Sequence, residues 1–303
     1  RPAPEDFRPR TALQLTLLEA LAPGVRLTPH EDAPGWLHLA AERTGPAIAL
    51  PETLPEALET AVTLEGAERA TALGALIAVM AVLATPALAF DHQPWDDLLQ
   101  AHVSKHRDGV ASAVDYDGMA ADQAALDDYL ARLSAVDQAT FKGFSNDQKL
   151  AFLINAYNAF TVKLILKQDS RPDSIRDIGS IFSGPWSQRF FTLLGEERTL
   201  DELEHQMIRG NPALMDPRIH FAVNCASIGC PALRPEAYTG ERLDAQLADS
   251  TRRFLSDRRR NRYDAEAGVL RVSSIFDWYQ EDFEDSAGSL GDYLLQYADA
   301  LAL

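Results

Sequence analysis

The chain has 303 residues, 46% of them hydrophobic, enough for a substantial core in one large domain or two ordinary ones, which excludes wholesale disorder. A net charge of −17, acidic both before and after Phe90, argues against nucleic acid and anionic membranes as partners, since both need a basic surface. Two cysteines, Cys225 and Cys230, exclude a multi-bridge scaffold and a four-cysteine zinc site but allow one bridge.

Residues 1–62 show helical spacing over 12–21, short apolar runs at 36–40 and 47–50 that suit strands, and a second helical pattern over 55–64. They carry no chemistry that can be named. The chain opens on Arg1 rather than Met, and this stretch reads as an upstream extension, from a misplaced start or a fragment boundary. Segment 63–89 follows. No charge occurs from Ala70 to Phe90, Arg69 precedes an apolar run from Thr71 to Ala84, Pro86 breaks any helix, and Ala87-Leu88-Ala89 has the small-x-small pattern of a signal-peptidase site. This reads as an export signal, which places the remainder in the periplasm or outside the cell. The other readings are an uncleaved N-terminal membrane anchor, since about 20 apolar residues span a bilayer, and a buried Ala-rich helix.

From residue 90 to 303 no repeat or low-complexity tract occurs, and Pro and Gly fall singly at element ends. The expectation is one α+β domain, rich in helix, with a small and mainly antiparallel sheet. Helices are expected at 95–106, 121–134, 146–168, 200–209, 241–256, 275–284 and 289–299. Strands are expected near 113–116, 189–194, 219–225 and 268–272. Ser145 with Gln148, and Thr199 with Glu202, have the spacing of capping boxes, and Gly210 suits a helix stop. The 146–168 helix is apolar around almost its whole circumference, from Leu150 to Leu166, so it should be the buried central helix.

Several polar residues break these patterns. Asn155 and Asn158 lie on one side of the central helix, where an unpartnered amide costs roughly 1–3 kcal/mol, so each must tie down a loop or line a site. Glu204 falls inside the apolar stripe of Leu200, Leu203, Met207 and Ile208, with His205 at its edge. A core-facing carboxylate must be paired or bonded; Glu204 is either a satisfied structural group or a tuned acid/base that orients a histidine. After Asp216-Pro217-Arg218, the run Ile219 to Cys225 alternates as a strand, with His220, Ala222 and Asn224 facing away from Cys225. On that geometry His205 is the better partner for Cys225. The basic run Arg252, Arg253, Arg258, Arg259, Arg260, Arg262 reads as a solvated helix end, with an anionic ligand or partner as the alternative, and Trp278 with Tyr279 reads as core rather than as a binding platform.

The motifs AFLINAYNAF (151–160), TLDELEHQMIRG (199–210) and DPRIHFAVNCASIGCPAL (216–233) resemble those of the family known as domain of unknown function 547, over roughly residues 95–285. Bacterial members of that family often carry an export signal, which agrees with the reading of 70–89. Asn155, Tyr157, Asn158, Glu204, His205, Arg218, His220, Phe221, Asn224, Cys225, Cys230 and Pro231 fall on its motif positions. Plant relatives of that family keep the position of Cys225 but can replace those of His205, His220 and Cys230. A distant similarity to papain-like or transglutaminase-like folds rests on the buried central helix followed by strands, although there the nucleophile begins the helix. The resemblance implies placement, not a reaction.

Three chemistries compete. In the first, Cys225 is the nucleophile of a hydrolase or acyltransferase acting on amide or thioester bonds. His205 is its base, Glu204 or an asparagine orients the ring, and loop amides of 226–230 hold an oxyanion. Asn155, Asn158, Arg218, His220, Asn224 and Cys230 would then line the binding site for a small-molecule or peptide substrate. In the second, Cys225 and Cys230 are bridged, as an exported chain permits, and the domain binds or scaffolds without catalysis. In the third, His205, His220, Cys225 and Cys230 hold zinc, against which stands the wide cysteine spacing; neither a resident metal nor another cofactor is expected. G-x-S-x-G, G-x-G-x-x-G, P-loop and H-E-x-x-H motifs do not occur.

Overall fold

The computed structural model describes residues 89–303 except 169, 171, 173, 174, 180–183 and 228, and three strands before them. The chain divides into two compact units, 1–88 and 89–303. In the first, β1 (Asp6–Phe7), β2 (Val25–Pro29) and β3 (Leu37–Ala41) form an antiparallel sheet in the order β1-β3-β2, with Leu27 opposite Leu39. The strand expected at 36–40 is β3. The expected helices at 12–21 and 55–64, the strand at 47–50 and the charge-free segment up to Leu88 lie outside the described residues.

The second unit is helix-rich with small antiparallel hairpins, the α+β class its sequence indicates. The central helix, Asn146–Leu166, forms where its sequence supplies both a start and a reason for burial. Ser145 Oγ accepts from the Gln148 amide at 3.2 Å while the Gln148 side chain accepts from the Ser145 amide at 2.9 Å, so the capping box closes. Leu150 through Val162 are all buried. Among the described residues it is the one helix long and apolar enough to cross a membrane, but 83% of its apolar window is buried inside the fold.

Around it pack helices Gln93–His102, Tyr116–Ala121, Gln123–Ser134 and Gln138–Gly143, and the hairpins β4 (Val103–His106) with β5 (Ala111–Val114) and β6 (Phe191–Leu193) with β7 (Glu196–Arg198). The expected 95–106 helix therefore ends early. Val103 to His106 pairs as a strand, because Lys105 faces Ser112 and His106 faces Ala111 across a short turn. Trp95 stacks on Tyr129 with ring centroids 5.9 Å apart.

His92 caps this cluster, its Nδ1 2.8 Å from the Tyr129 hydroxyl. Burial pushes the ring's pKa down to about 3 from its ordinary 6.5. The folded state then binds fewer protons than the unfolded chain between those values, so stability is complete above pH 6.5 and falls as the pH drops toward 3, by up to about 1.4 kcal/mol per pH unit. Thermal unfolding of wild type and His92→Gln across pH 7 to 4 checks this: the variant should show the shallower slope.

A second core forms from Phe221, Phe254, Phe276, Phe283, Tyr293 and Leu301, supplied mainly by helix Leu243–Leu255 and by helices Ile275–Trp278, Gln280–Ala287, Leu290–Leu295 and Ala298–Leu301. The hairpin β8 (Arg262–Asp264) with β9 (Val269–Arg271) joins the two halves of this region.

Residues 219–225 are not a strand. Pro217–Phe221 is a 3-10 helix started by Asp216, whose carboxylate accepts from the Arg218 amide, and residues 222–225 continue as an irregular segment. Ile219 and Val223 point into the first core and Phe221 into the second. The apolar alternation is thus that of a segment lying between two cores. With it goes the argument that His220 faces away from Cys225.

Candidate functional site

The helix that carries Glu204 and His205 is a π-helix from Glu202 to Arg209. Its start is the expected capping box: Glu202 accepts from the Thr199 amide and Thr199 Oγ1 from the Glu202 amide, both at 3.0 Å. Its end is an i→i+5 bond from the Gly210 amide to the His205 carbonyl, 3.0 Å. A side chain at position 210 would meet the Gln206 carbonyl oxygen at 2.7 Å, so glycine is needed for this close approach. The wider turn, a form often found at functional sites, buries Leu203, Glu204 and Ile208 while leaving His205 exposed.

Glu204, Cys225, His205, His220 and Cys230 line one cleft of about 240 Å³. Of the sequence-derived candidates, these five are brought together. Asn155, Asn158, Asn224 and Arg218 stand outside the cleft wall. Asn155 donates to the Tyr238 carbonyl at 2.7 Å and accepts from the Tyr238 amide at 3.0 Å. Asn158 donates to the Ala222 carbonyl at 3.0 Å and accepts from the Asn224 amide at 2.8 Å, fixing the segment that leads to Cys225. Arg218 is held by Asp216 and Asp244.

Cys225 and Cys230 are joined in a disulfide, with Cα atoms 5.9 Å apart. Closing so short a loop stabilises the fold by about 2 kcal/mol through chain entropy. The Asn224 side chain accepts from the Ala226 amide at 2.9 Å and donates to the Pro231 carbonyl at 2.7 Å, a second brace across the same loop. Ala226 sits at φ +53°, a left-handed conformation costing a non-glycine residue roughly 1–2 kcal/mol. Arg260 Nη2 donates to the Cys230 carbonyl at 2.9 Å, and Arg258 bonds the carbonyls of Leu255 and Ala300. The basic run is therefore partly structural rather than a solvated helix end.

The histidine with the most constrained environment is His220. Its ring is buried, stacked on Tyr279 at 3.8 Å between centroids, with Nε2 2.7 Å from Asp282 Oδ2. Arg209 grips the same carboxylate through Nε at 2.6 Å and Nη2 at 3.0 Å. Burial pushes Asp282 up, but the hydrogen bonds from His220 and Arg209 overcome it and hold the carboxyl at about 2. An ionised carboxylate only accepts, so Nε2 carries the proton. Burial pulls the His220 pKa below its ordinary value against the hydrogen bond to Asp282, so the ring is neutral at pH 7. Its Nδ1 therefore bears a lone pair, and that atom is shielded from water and has no hydrogen-bond partner among the described residues.

Glu204 does not orient a histidine ring. It accepts from the Tyr279 hydroxyl at 2.8 Å and is hydrogen-bonded by Tyr157. Burial raises both phenols, Tyr157 well above the usual tyrosine range, and the Glu204 charge adds to it. His205 Nδ1 lies 3.1 Å from Arg209 Nη1, and the Arg209 guanidinium lies over the Tyr279 ring at 4.9 Å. Asp282, Tyr279 and Arg209 have no sequence signal of their own as partners of His220, since they come from segments far apart in the chain. Trp278, expected in the core, is 65% exposed at the cleft. Among the described residues no group of three or more His, Cys, Asp or Glu comes together as a metal-binding set, and the two sulfurs of the zinc reading are bonded to each other.

No curated protein and no solved structure matches the chain. Residues 141–255 match the family model described as "Protein of unknown function, DUF547". That span contains the central helix, the π-helix, the 217–221 turn and the bridged loop, and of the cleft lining only Ile275, Trp278 and Tyr279 lie beyond it. Over those residues the chain is similar to the DUF547 family.

Proposed function

We propose that the cleft is the site of a cysteine-dependent hydrolase or acyltransferase acting on amide or thioester bonds, with Cys225 as nucleophile and His220, oriented by Asp282, as general base. The observation that carries this reading is the lone pair of His220 Nδ1, left unpartnered by the Nε2–H to Asp282 bond, in the wall that Cys225 shares. The disulfide stores the nucleophile. Two thiols of a reductant, oxidised to their own disulfide, return Cys225 and Cys230 as thiols. His220 Nδ1 then takes the Cys225 proton as the sulfur adds to a carbonyl carbon, and returns it to the departing amine or thiolate as the acyl bond breaks. Water or another acceptor releases the acyl group from Cys225 by the same proton route. Tyr279 stacks on the His220 ring and is bonded to Glu204, and His205, exposed in the same lining, is bonded to Arg209. Export, as the charge-free segment before Phe90 suggests, fits a protein whose cysteines rest oxidised.

The bridge itself favours a second reading, a periplasmic or secreted binding domain in which it is structural. Alkylation of Cys225 separates the two. In Cys230→Ser protein Cys225 has no bridge partner, and the proposal expects iodoacetamide to modify it at pH 6 far faster than an ordinary thiol of pKa about 8.5, with His220→Gln slowing that reaction at least tenfold. A midpoint near 8.5 that His220→Gln leaves unchanged would leave the binding domain as the reading.

A further inference from the structure

The charges of the cleft do not balance. Among the described residues the hydrogen bonds to Glu204 come from the phenols of Tyr279 and Tyr157, both neutral. Asp201, at the start of the π-helix, also lines the cleft, makes no capping bond there, and accepts no hydrogen bond from any described residue. The nearby cation Arg209 is spent on Asp282, and the guanidinium in the wall, that of Arg176, has a partner of its own. Burial raises the Asp201 carboxyl and the Glu204 charge adds to the rise, while the neighbouring His205 ring pulls it back. A metal ion does not answer this, because no set of three or more donor groups converges among the described residues.

Two other features point to an organic ligand. The cleft has aromatic walls, Trp186 and the exposed face of Trp278, suited to the alkyl stem and charge of an organic cation. It also holds one unpartnered buried acceptor, His220 Nδ1, and one unpartnered buried donor, Trp186 Nε1, the complement of an amide's N–H and C=O.

We infer that the ligand is a peptide-like amide carrying a cationic side chain of the lysine type, with Asp201 facing the ammonium group and the Trp186 and Trp278 rings flanking its stem. This rests on the site assignment above and supplies its substrate class, but binding can be read without catalysis. Oxidised full-length protein is titrated with N-acetyl-lysine, N-acetyl-norleucine and N-acetyl-glutamate N-methylamides, followed by calorimetry. The lysine amide should bind at least tenfold more tightly than the norleucine amide and lose that advantage as salt is raised. Asp201→Asn should reduce the lysine advantage to under threefold while leaving the norleucine amide unaffected, and Trp278→Ala should weaken both. Equal binding of the three amides, binding of none, or a preference that survives Asp201→Asn overturns the inference. Any of these leaves the Cys225 alkylation result untouched, so the two proposals fail separately.

Discussion

Replacing Asn158 with alanine should destabilise the fold by roughly 2–5 kcal/mol, read as a lower urea midpoint at unchanged slope. The size follows from what the amide holds. It satisfies both the Ala222 carbonyl and the Asn224 amide, neither of which has another partner supplied by a sheet or helix ladder, and the side chain is 2% exposed. Alanine would leave two buried backbone groups unpaired, at about 1–3 kcal/mol each, plus a small void. Asn155→Ala should cost a similar amount, because it breaks the matching pair to Tyr238, but the two variants should differ in a second measurement. Tyr238 lies outside the cleft wall, whereas Asn224 precedes Cys225. Only Asn158→Ala should therefore alter the reactivity of Cys225 in the background without Cys230.

The other large effect is expected at Asp282. In Cys230→Ser protein, Asp282→Asn should slow alkylation of Cys225 at pH 6 by about 10²- to 10⁴-fold, the range that a well-placed general base contributes. A carboxylate forces the His220 proton onto Nε2, while an amide can present its own N–H to that nitrogen and drive the proton to Nδ1, the wrong side of the ring. The change also leaves Arg209 without its counter-charge. Arg209→Gln distinguishes these contributions. It keeps the His220–Asp282 bond and should slow the reaction far less, whereas a merely structural role for the cluster would make the two variants equivalent.

How much of this was legible beforehand depended on whether the signal was local. The central helix and the start of the π-helix announce themselves through capping boxes, whose partners are three residues apart. Asn155 and Asn158 were identifiable as groups needing partners, since polar residues on an otherwise fully apolar helix have few explanations. The partners themselves are 83 and 64 residues away and leave no trace in the sequence. Residues 219–225 misled because a period of two fits a strand facing one core equally well as a segment dividing its side chains between two. Glu204 was correctly located inside the apolar stripe, but an α-helical angle of 100° per residue could not show that π-winding turns His205 outward and gives Glu204 to two tyrosines. Asp282 was invisible for the plainest reason: it is one acid among many until the fold sets it against His220.

His220 lies on the short segment whose neighbours belong to different cores, Ile219 and Val223 to one, Phe221 to the other. The cleft is thus a seam between two separately packed cores, crossed by the Arg209–Asp282 ion pair, by the bonds of His220 to Asp282 and of Tyr279 to Glu204, and by Arg260 reaching the Cys230 carbonyl. Close-packed bodies resist internal deformation but shear easily past one another. A small displacement of the C-terminal helices that strained those contacts would change the width of the seam, and with it the shelter of Nδ1, without melting either core. The shelter of the histidine is then a property of the whole unit, set jointly by every contact that ties its two cores together.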